Sequence, residues 1–175
     1  VKTGWSPTGG GGSLRSQLGD GISYVRARPE MRLAFRLAFT VASLGAVFAF
    51  SLTAGVADDL YGLGGGGLGV LATSAGVGSL LASGYISGAG SRVARSTMEY
   101  RSILLYGSGL VVVASTDWMA VGIVGYLCMG MAHMLHGTTL STALQIRVDD
   151  AYRGRVMSVF LVAVLRGLPL GGTAF

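Results

Sequence analysis

The chain has 175 residues, of which 51% are hydrophobic and only 12% charged, and it contains 30 glycines. An average soluble domain carries about 25% charged residues and about 7% glycine, so this balance departs from a soluble domain and points to a membrane protein. The net charge of +5 does not indicate nucleic-acid binding, which needs basic residues clustered on one exposed face among aromatics; here they sit at the ends of apolar runs. The one cysteine, Cys128, lies inside such a run, which excludes a disulfide framework within the chain and a multi-cysteine zinc site.

In chain order, residues 1–32 read as a cytoplasmic Gly-rich tail followed by an amphipathic segment. The start, VKTGWSPTGGGGS, lacks the apolar core of a signal peptide, so none is expected. Leu14, Leu18, Ile22 and Val25 then recur at helical spacing. Five apolar runs follow, at about 33–57, 68–87, 102–116, 119–144 and 156–175. A hydrocarbon core ~30 Å thick needs about 20 helical residues. Four of the runs meet that length; the third is short, and is expected either to draw in Thr116 and residues before Ser102 or to tilt little and thin the bilayer locally. The fold class expected is therefore all-α, an integral membrane helical bundle with five transmembrane helices over 33–175. Glycine in lipid lets helix backbones approach closely, and Gly84-x-x-x-Gly88 and Gly167-x-x-x-Gly171 have the spacing for close packing within one bundle.

Orientation follows from positive charge. Of the 13 Lys and Arg residues, all but Arg166 fall in the N-terminal segment through Arg36, in the connection with Arg92, Arg95 and Arg101, or in the one with Arg147, Arg153 and Arg155. The other two connections carry Asp58, Asp59 and Asp117 instead. Cytoplasmic loops hold the excess of Lys and Arg, so the expectation is a multi-pass protein of the plasma (inner) membrane with a cytoplasmic N-terminus. Trp118 fits an interfacial aromatic belt.

The stretch QIRVDDAYRGRVMSVF is a knot of charge between the fourth and fifth runs. Anchoring of helix ends in the headgroup region accounts for Arg153 and Arg155 by itself. The stretch also resembles the loop between the tenth and eleventh helices of major facilitator superfamily transporters, in the branch of the enterobactin exporter and related macrolide and multidrug efflux proteins. That loop commonly reads Gln-x-Arg-Val, an acidic turn, then Arg-Gly-Arg-Val-Met-Ser, matched here by Gln145, Arg147, Val148, Arg153, Gly154, Arg155, Val156, Met157 and Ser158. LGDGISYVRARPEMR resembles the segment leading into the seventh helix, and LYGLGGGGLGVLATSAGVGSLLAS the outer loop and eighth helix. The family's loop after the eighth helix often reads Gly-x-x-x-Asp-Arg-x-Gly-Arg; in GYISGAGSRVAR, Gly84 and Arg92 match, while Gly88, Ala89 and Ser91 replace the Asp, Arg and Gly.

The resemblance implies a partial major facilitator superfamily fold, helices seven to eleven, that works with the N-terminal transporter half or with a partner chain. It implies export of siderophores, macrolides or other amphipathic compounds by alternating access between two halves in the lipid bilayer. It also implies a gating loop comprising Arg153, Gly154, Arg155, Asp150 and Arg92. The alternative is a non-transporting, truncated membrane half-protein that only assembles with a partner chain. No nucleic-acid partner and no cofactor are expected. Nor is an enzyme, since there is no nucleophile elbow, metal cluster or phosphate loop, and the run Gly64 to Gly67 follows no strand.

Ionisable groups inside membrane spans are costly and are functional candidates by default. They are His133, His136 and Arg166. His136 lies ten residues before Ile146 and Arg166 ten after Val156, which puts both ~15 Å from the cytoplasmic end at 1.5 Å per residue. On antiparallel neighbours they would share one depth, Arg166 holding an anionic or hydrogen-bonding group of the substrate and its field disfavouring a second cation on His136. The plainer account is that the histidines only hydrogen-bond across helices. No metal site is expected, because no carboxylate or cysteine is placed at the depth of the two histidines. With Asp and Glu outside all five runs, a proton-coupled exporter would use histidine or the other half. The methionines between Met119 and Met157 suit a pocket for a bulky apolar substrate or serve as core filler.

Overall fold

The structure is a computed structural model that describes residues 14–46 and 52–172; the side chains of Leu14, Arg15, Gln17, 42–46 and 166–172 lie outside that description. The Gly-rich tail, part of the expected first span and the surroundings of Gly167 and Gly171 therefore fall outside the described residues. The described residues are mostly helical and contain no strand. In order they form α1 (Leu14–Ala27), α2 (Pro29–Ala46), a short α3 (Thr53–Gly55) running into a π-type turn (Val56–Leu60), α4 (Gly64–Ser87), a 3-10 turn (Ala89–Arg92), α5 (Arg95–Ala114), α6 (Met119–Arg147) and α7 (Asp150–Gly172).

Local chemistry sets these boundaries. Pro29 opens α2, where its missing N–H costs nothing, and Glu30 in the first turn complements the helix dipole. Between the π-type turn and α4 the chain needs left-handed backbone at Gly62 (φ 64°) and Gly64 (φ 51°), which glycine adopts without penalty. Arg147 in the last turn of α6 and Asp150 in the first turn of α7 each complement the local dipole. α5 starts at Arg95, so the third run draws in residues before Ser102, one of the two alternatives for it. Its 20 residues span ~30 Å, so the third element is not short, and it takes in Glu99.

α6 is the central helix, with α4 against one face and α5 against another. Both crossings depend on missing side chains. A Cβ on Gly78 would land on the Leu127 carbonyl oxygen, and one on Gly130 on that of Ala75. Ser79 Oγ reaches across this crossing to the Gly130 carbonyl at 3.1 Å. On the other face, a Cβ on Gly109 would come within 2.8 Å of the Gly125 carbonyl, and one on Gly125 within 3.0 Å of that of Gly109. The expected pair is not used in this way: a Cβ on Gly84 meets nothing within 4 Å, and one on Gly88 meets only the Gly84 carbonyl of its own helix.

α7 packs on α2 and α1. Tyr24, Val25, Met31 and Ala38 join Leu140, Leu144, Val148, Val156 and Phe160 in one buried cluster at the arginine-bearing end. At the opposite end Tyr61 sits under α6, where a Cβ on Gly122 would strike its ring. Burial pushes the Tyr61 phenol up from its usual range, with smaller contributions from Tyr126 and Asp117.

The outward surface is apolar: Leu80 is 72% exposed on α4, Val111 68% on α5 and Leu165 59% on α7. Among the described residues, α4 and α6 are long and apolar enough to cross a membrane by length and composition. Only 22% of the apolar window of α4 and 44% of that of α6 is buried, whereas the core helix of a soluble protein is mostly covered. α5 opens with Arg95, Glu99 and Arg101, and α7 with Asp150, Arg153 and Arg155, so less of their length is apolar. Two candidate spans thus stand where five were expected.

Candidate functional site

The α5–α6 interface holds the most unusual chemistry in the molecule. Glu99 lies just past the first turn of α5, and the Ser102 hydroxyl donates to its backbone carbonyl at 2.7 Å. Across the interface, His136 Nδ1 is 2.5 Å from Glu99 Oε1. The side chains are 8% and 18% exposed, respectively. An imidazole nitrogen against a carboxylate oxygen makes a hydrogen bond that ties α5 to α6. The second carboxylate oxygen, Glu99 Oε2, is buried and has no hydrogen-bond partner. Tyr106 Oη, two turns along α5, and Thr139 Oγ1, one turn along α6, are buried and unpartnered too. Buried polar atoms nearly always find partners, so this interface has spare donor and acceptor capacity. Glu99 and His136 offer two metal-ligand types, and among the described residues no group of three His, Cys, Asp or Glu forms.

The sequence expectation had assigned Arg95 and Arg101 to a connection and placed no carboxylate beside the histidines; the structure puts Glu99 in helix α5, facing His136. The available signal was spacing: Glu99, Ser102 and Tyr106 stand at i, i+3 and i+7, one face of a helix. His136 thus has a carboxylate partner on α5. Arg166 lies on α7, its side chain outside the described residues, and α7 rests chiefly on α1 and α2. His133 is exposed.

The charged knot has a partner that the sequence reading missed. Arg153 Nε–H donates to the Gln145 carbonyl at 3.2 Å, and its Nη2 pairs with Asp150. This ties the end of α6 to the start of α7. α1 then covers the loop: the Tyr24 hydroxyl donates to Asp149 Oδ2 at 3.0 Å and lies 3.2 Å from the Asp149 N–H. Arg28 pairs with the same carboxylate at 3.4 Å while stacking 3.7 Å over the Tyr24 ring. Arg155 reaches Asp20 of α1 at 3.5 Å, and Tyr24 stacks on Tyr152 with ring centroids 4.8 Å apart. The groups are substantially exposed, so each ion pair is worth little alone, typically under 1 kcal/mol. The buried aromatic contacts carry the docking. Gly21 makes the approach possible, since a Cβ there would sit 2.8 Å from the Arg155 carbonyl. The line that α1 buries is Gly21, Tyr24 and Val25, while Ile22, expected on that face, is 40% exposed. Gly154 has open space around it, and Arg92 is exposed in the 3-10 turn.

No family model matches the chain, and no curated protein or solved structure is significantly similar to it.

Proposed function

We propose that the chain is the C-terminal part of a secondary transporter, five crossings equivalent to helices seven to eleven of a major facilitator superfamily fold, which exports siderophores, macrolides or other amphipathic compounds by alternating access. It works in the plasma (inner) membrane with its N-terminus in the cytoplasm and with an N-terminal half or partner chain opposite it. The observation that carries this reading is the buried Glu99–His136 pair between α5 and α6. Ionisable groups inside a membrane bundle are expensive and are kept where ions or substrates move. In the closed interface the two groups satisfy one another. If α5 and α6 part, each loses its partner and is open to water or substrate. A ligand that binds one of the two arrangements more tightly shifts the equilibrium between them.

The outward apolar side chains, the sorting of arginines to one end and the resemblance of residues 145–158 support the same reading. Within it, Arg153, Gly154, Arg155, Asp150 and Arg92 form the gating loops, and Arg166, with His136 and His133, the substrate path. The test is accumulation of a macrolide and of an amphipathic dye in cells expressing the chain with the transporter half proposed to precede it. Accumulation is expected to fall severalfold, and the Glu99→Gln variant, expressed to the same level, is expected to lose most of that effect. Unchanged export by Glu99→Gln would remove the pair from the mechanism, and no export by either protein would contradict the transporter reading.

A further inference from the structure

α4 and α5 both rest on α6, and near the arginine-bearing end they meet over a small buried cluster of Ala82, Met98 and Leu135, with Tyr85 and Leu105 packed around it. At the surface of this cluster Arg101 Nη1–H of α5 donates to the Tyr85 hydroxyl of α4 at 3.4 Å, an exposed bond that joins the two helices. A Cβ on Gly90 would sit 2.8 Å from the Tyr85 carbonyl oxygen and 3.1 Å from its ring. The 3-10 turn that carries Arg92 therefore lies directly against Tyr85.

This bond leaves donors in excess. The guanidinium keeps further N–H groups, and the Tyr85 hydroxyl, which accepts here, still has its own proton to give. Among the described residues no ion pair engages Arg92 or Arg101. The stretch from Gly88 to Arg101 holds a single acid, Glu99, and that carboxylate is turned to His136. Away from the turn the surface becomes apolar. Leu81, one turn before Tyr85 on α4, and Leu104, one turn after Arg101 on α5, are both exposed. Because the turn reverses the chain between α4 and α5, these two leucines lie on the same side of the Tyr85–Arg101 bond, toward the middle of the helices. Positive charge and spare donors at one level with exposed leucines below them match the layout of a phospholipid. Basic pockets between membrane helices on the cytoplasmic side suit anionic headgroups, and a guanidinium fits the paired oxygens of a phosphate.

We propose that the Tyr85–Arg101 crossing seats an anionic phospholipid. Arg101 and the Tyr85 hydroxyl hold its phosphodiester, Arg92 adds positive charge from the turn, and the acyl chains lie along Leu81 and Leu104. This seat rests on the reading of the bundle as a membrane protein and is independent of export.

Two measurements on the purified protein test the seat and the membrane reading separately. The first is flotation after reconstitution with vesicles of phosphatidylcholine, with and without phosphatidylglycerol. The second is native mass spectrometry in neutral detergent with phosphatidylglycerol or phosphatidylcholine of the same acyl chains added. The protein is expected to float with both kinds of vesicle and to retain phosphatidylglycerol in preference to phosphatidylcholine. Arg101→Gln is expected to weaken phosphatidylglycerol binding roughly tenfold, the loss of a charge-assisted hydrogen bond. Tyr85→Phe keeps the ring on the cluster, is expected to unfold at the wild-type temperature without lipid, and is expected to weaken binding about fivefold, the loss of one neutral hydrogen bond. Arg32→Gln, an exposed arginine on α2, removes the same formal charge and is expected to bind as wild type. A protein that floats with neither kind of vesicle overturns the membrane reading and the seat with it. A protein that floats but binds the two lipids alike overturns the seat alone. So does wild-type binding by either Arg101→Gln or Tyr85→Phe, or a loss at Arg32→Gln as large as that at Arg101→Gln.

Discussion

Replacing Gly130 with alanine is expected to be among the most destabilising single-methyl additions in this molecule. The new Cβ would fall on the Ala75 carbonyl oxygen, with the Ala75 carbonyl carbon at 2.6 Å and Cα at 2.7 Å. Gly78→Ala fails in the same way against the Leu127 carbonyl and, at 2.9 Å, the Met131 amide nitrogen. In both cases the obstacle is backbone, which cannot rotate aside as a side-chain tip can. α4 and α6 must move apart, and the contact from Ser79 Oγ to the Gly130 carbonyl goes with them. Overpacking costs typically ~1–3 kcal/mol and occasionally more; a backbone clash belongs at the upper end. Gly84→Ala, which meets nothing within 4 Å, is expected to leave stability unchanged or to raise it slightly, since alanine is the better helix former by ~1 kcal/mol. Thermal unfolding in detergent distinguishes the two sites. Equal losses at Gly84 and Gly130 would mean that α4 and α6 do not cross as described.

The second large effect is expected at the Glu99–His136 pair. Removing one member of a buried ion pair costs ~3–5 kcal/mol, because the other charge stays behind unpaired. His136 is 6% exposed, so a variant at Glu99 leaves it buried without that partner. Glu99→Ala and His136→Ala are each expected to destabilise within that range, and the double variant by clearly less than their sum. The coupling should reach the ~0.5–3 kcal/mol found for residues that share one interaction. Denaturant unfolding of wild type, both single variants and the double variant closes the cycle. Additive losses would show that the two side chains do not interact.

The long apolar runs that became α4 and α6 were legible from composition, because 24 and 29 helical residues with few charges have few other readings. The clustering of arginines was legible from their positions. The starts of α5 and α7, at Arg95 and Asp150, were not: the runs were placed at 102–116 and 156–175. An apolar run marks where a helix can meet lipid, not where its hydrogen bonding begins, so the turns carrying Arg95 and Arg101 and those carrying Arg153 and Arg155 were assigned to connections, and Glu99 was not considered as a partner for the histidines. Counting residues placed His136 and Arg166 at one depth, but depth says nothing about which way a side chain points around its helix, and His136 points to α5. Glycine spacing had the same limit. It revealed that some faces could approach closely; the faces actually used carry Gly78, Gly130, Gly109 and Gly125. The helical period of α1 was visible, while its docking on Asp149 and Tyr152 through Tyr24 depends on contacts 125 residues apart for the Asp149 bond, which local pattern does not encode.

The central claim is that this bundle crosses a bilayer with its arginine-bearing end in the cytoplasm, and thiol labelling on intact cells tests it most directly. Gly65 in the first turn of α4 and Ser96 in the first turn of α5 are both exposed. They are separated by the 24 residues of α4, ~36 Å of helix. In a Cys128→Ala background, Gly65→Cys is expected to react with a membrane-impermeant maleimide added outside, and Ser96→Cys only after the cells are permeabilised. Equal labelling of both in intact cells would contradict the account.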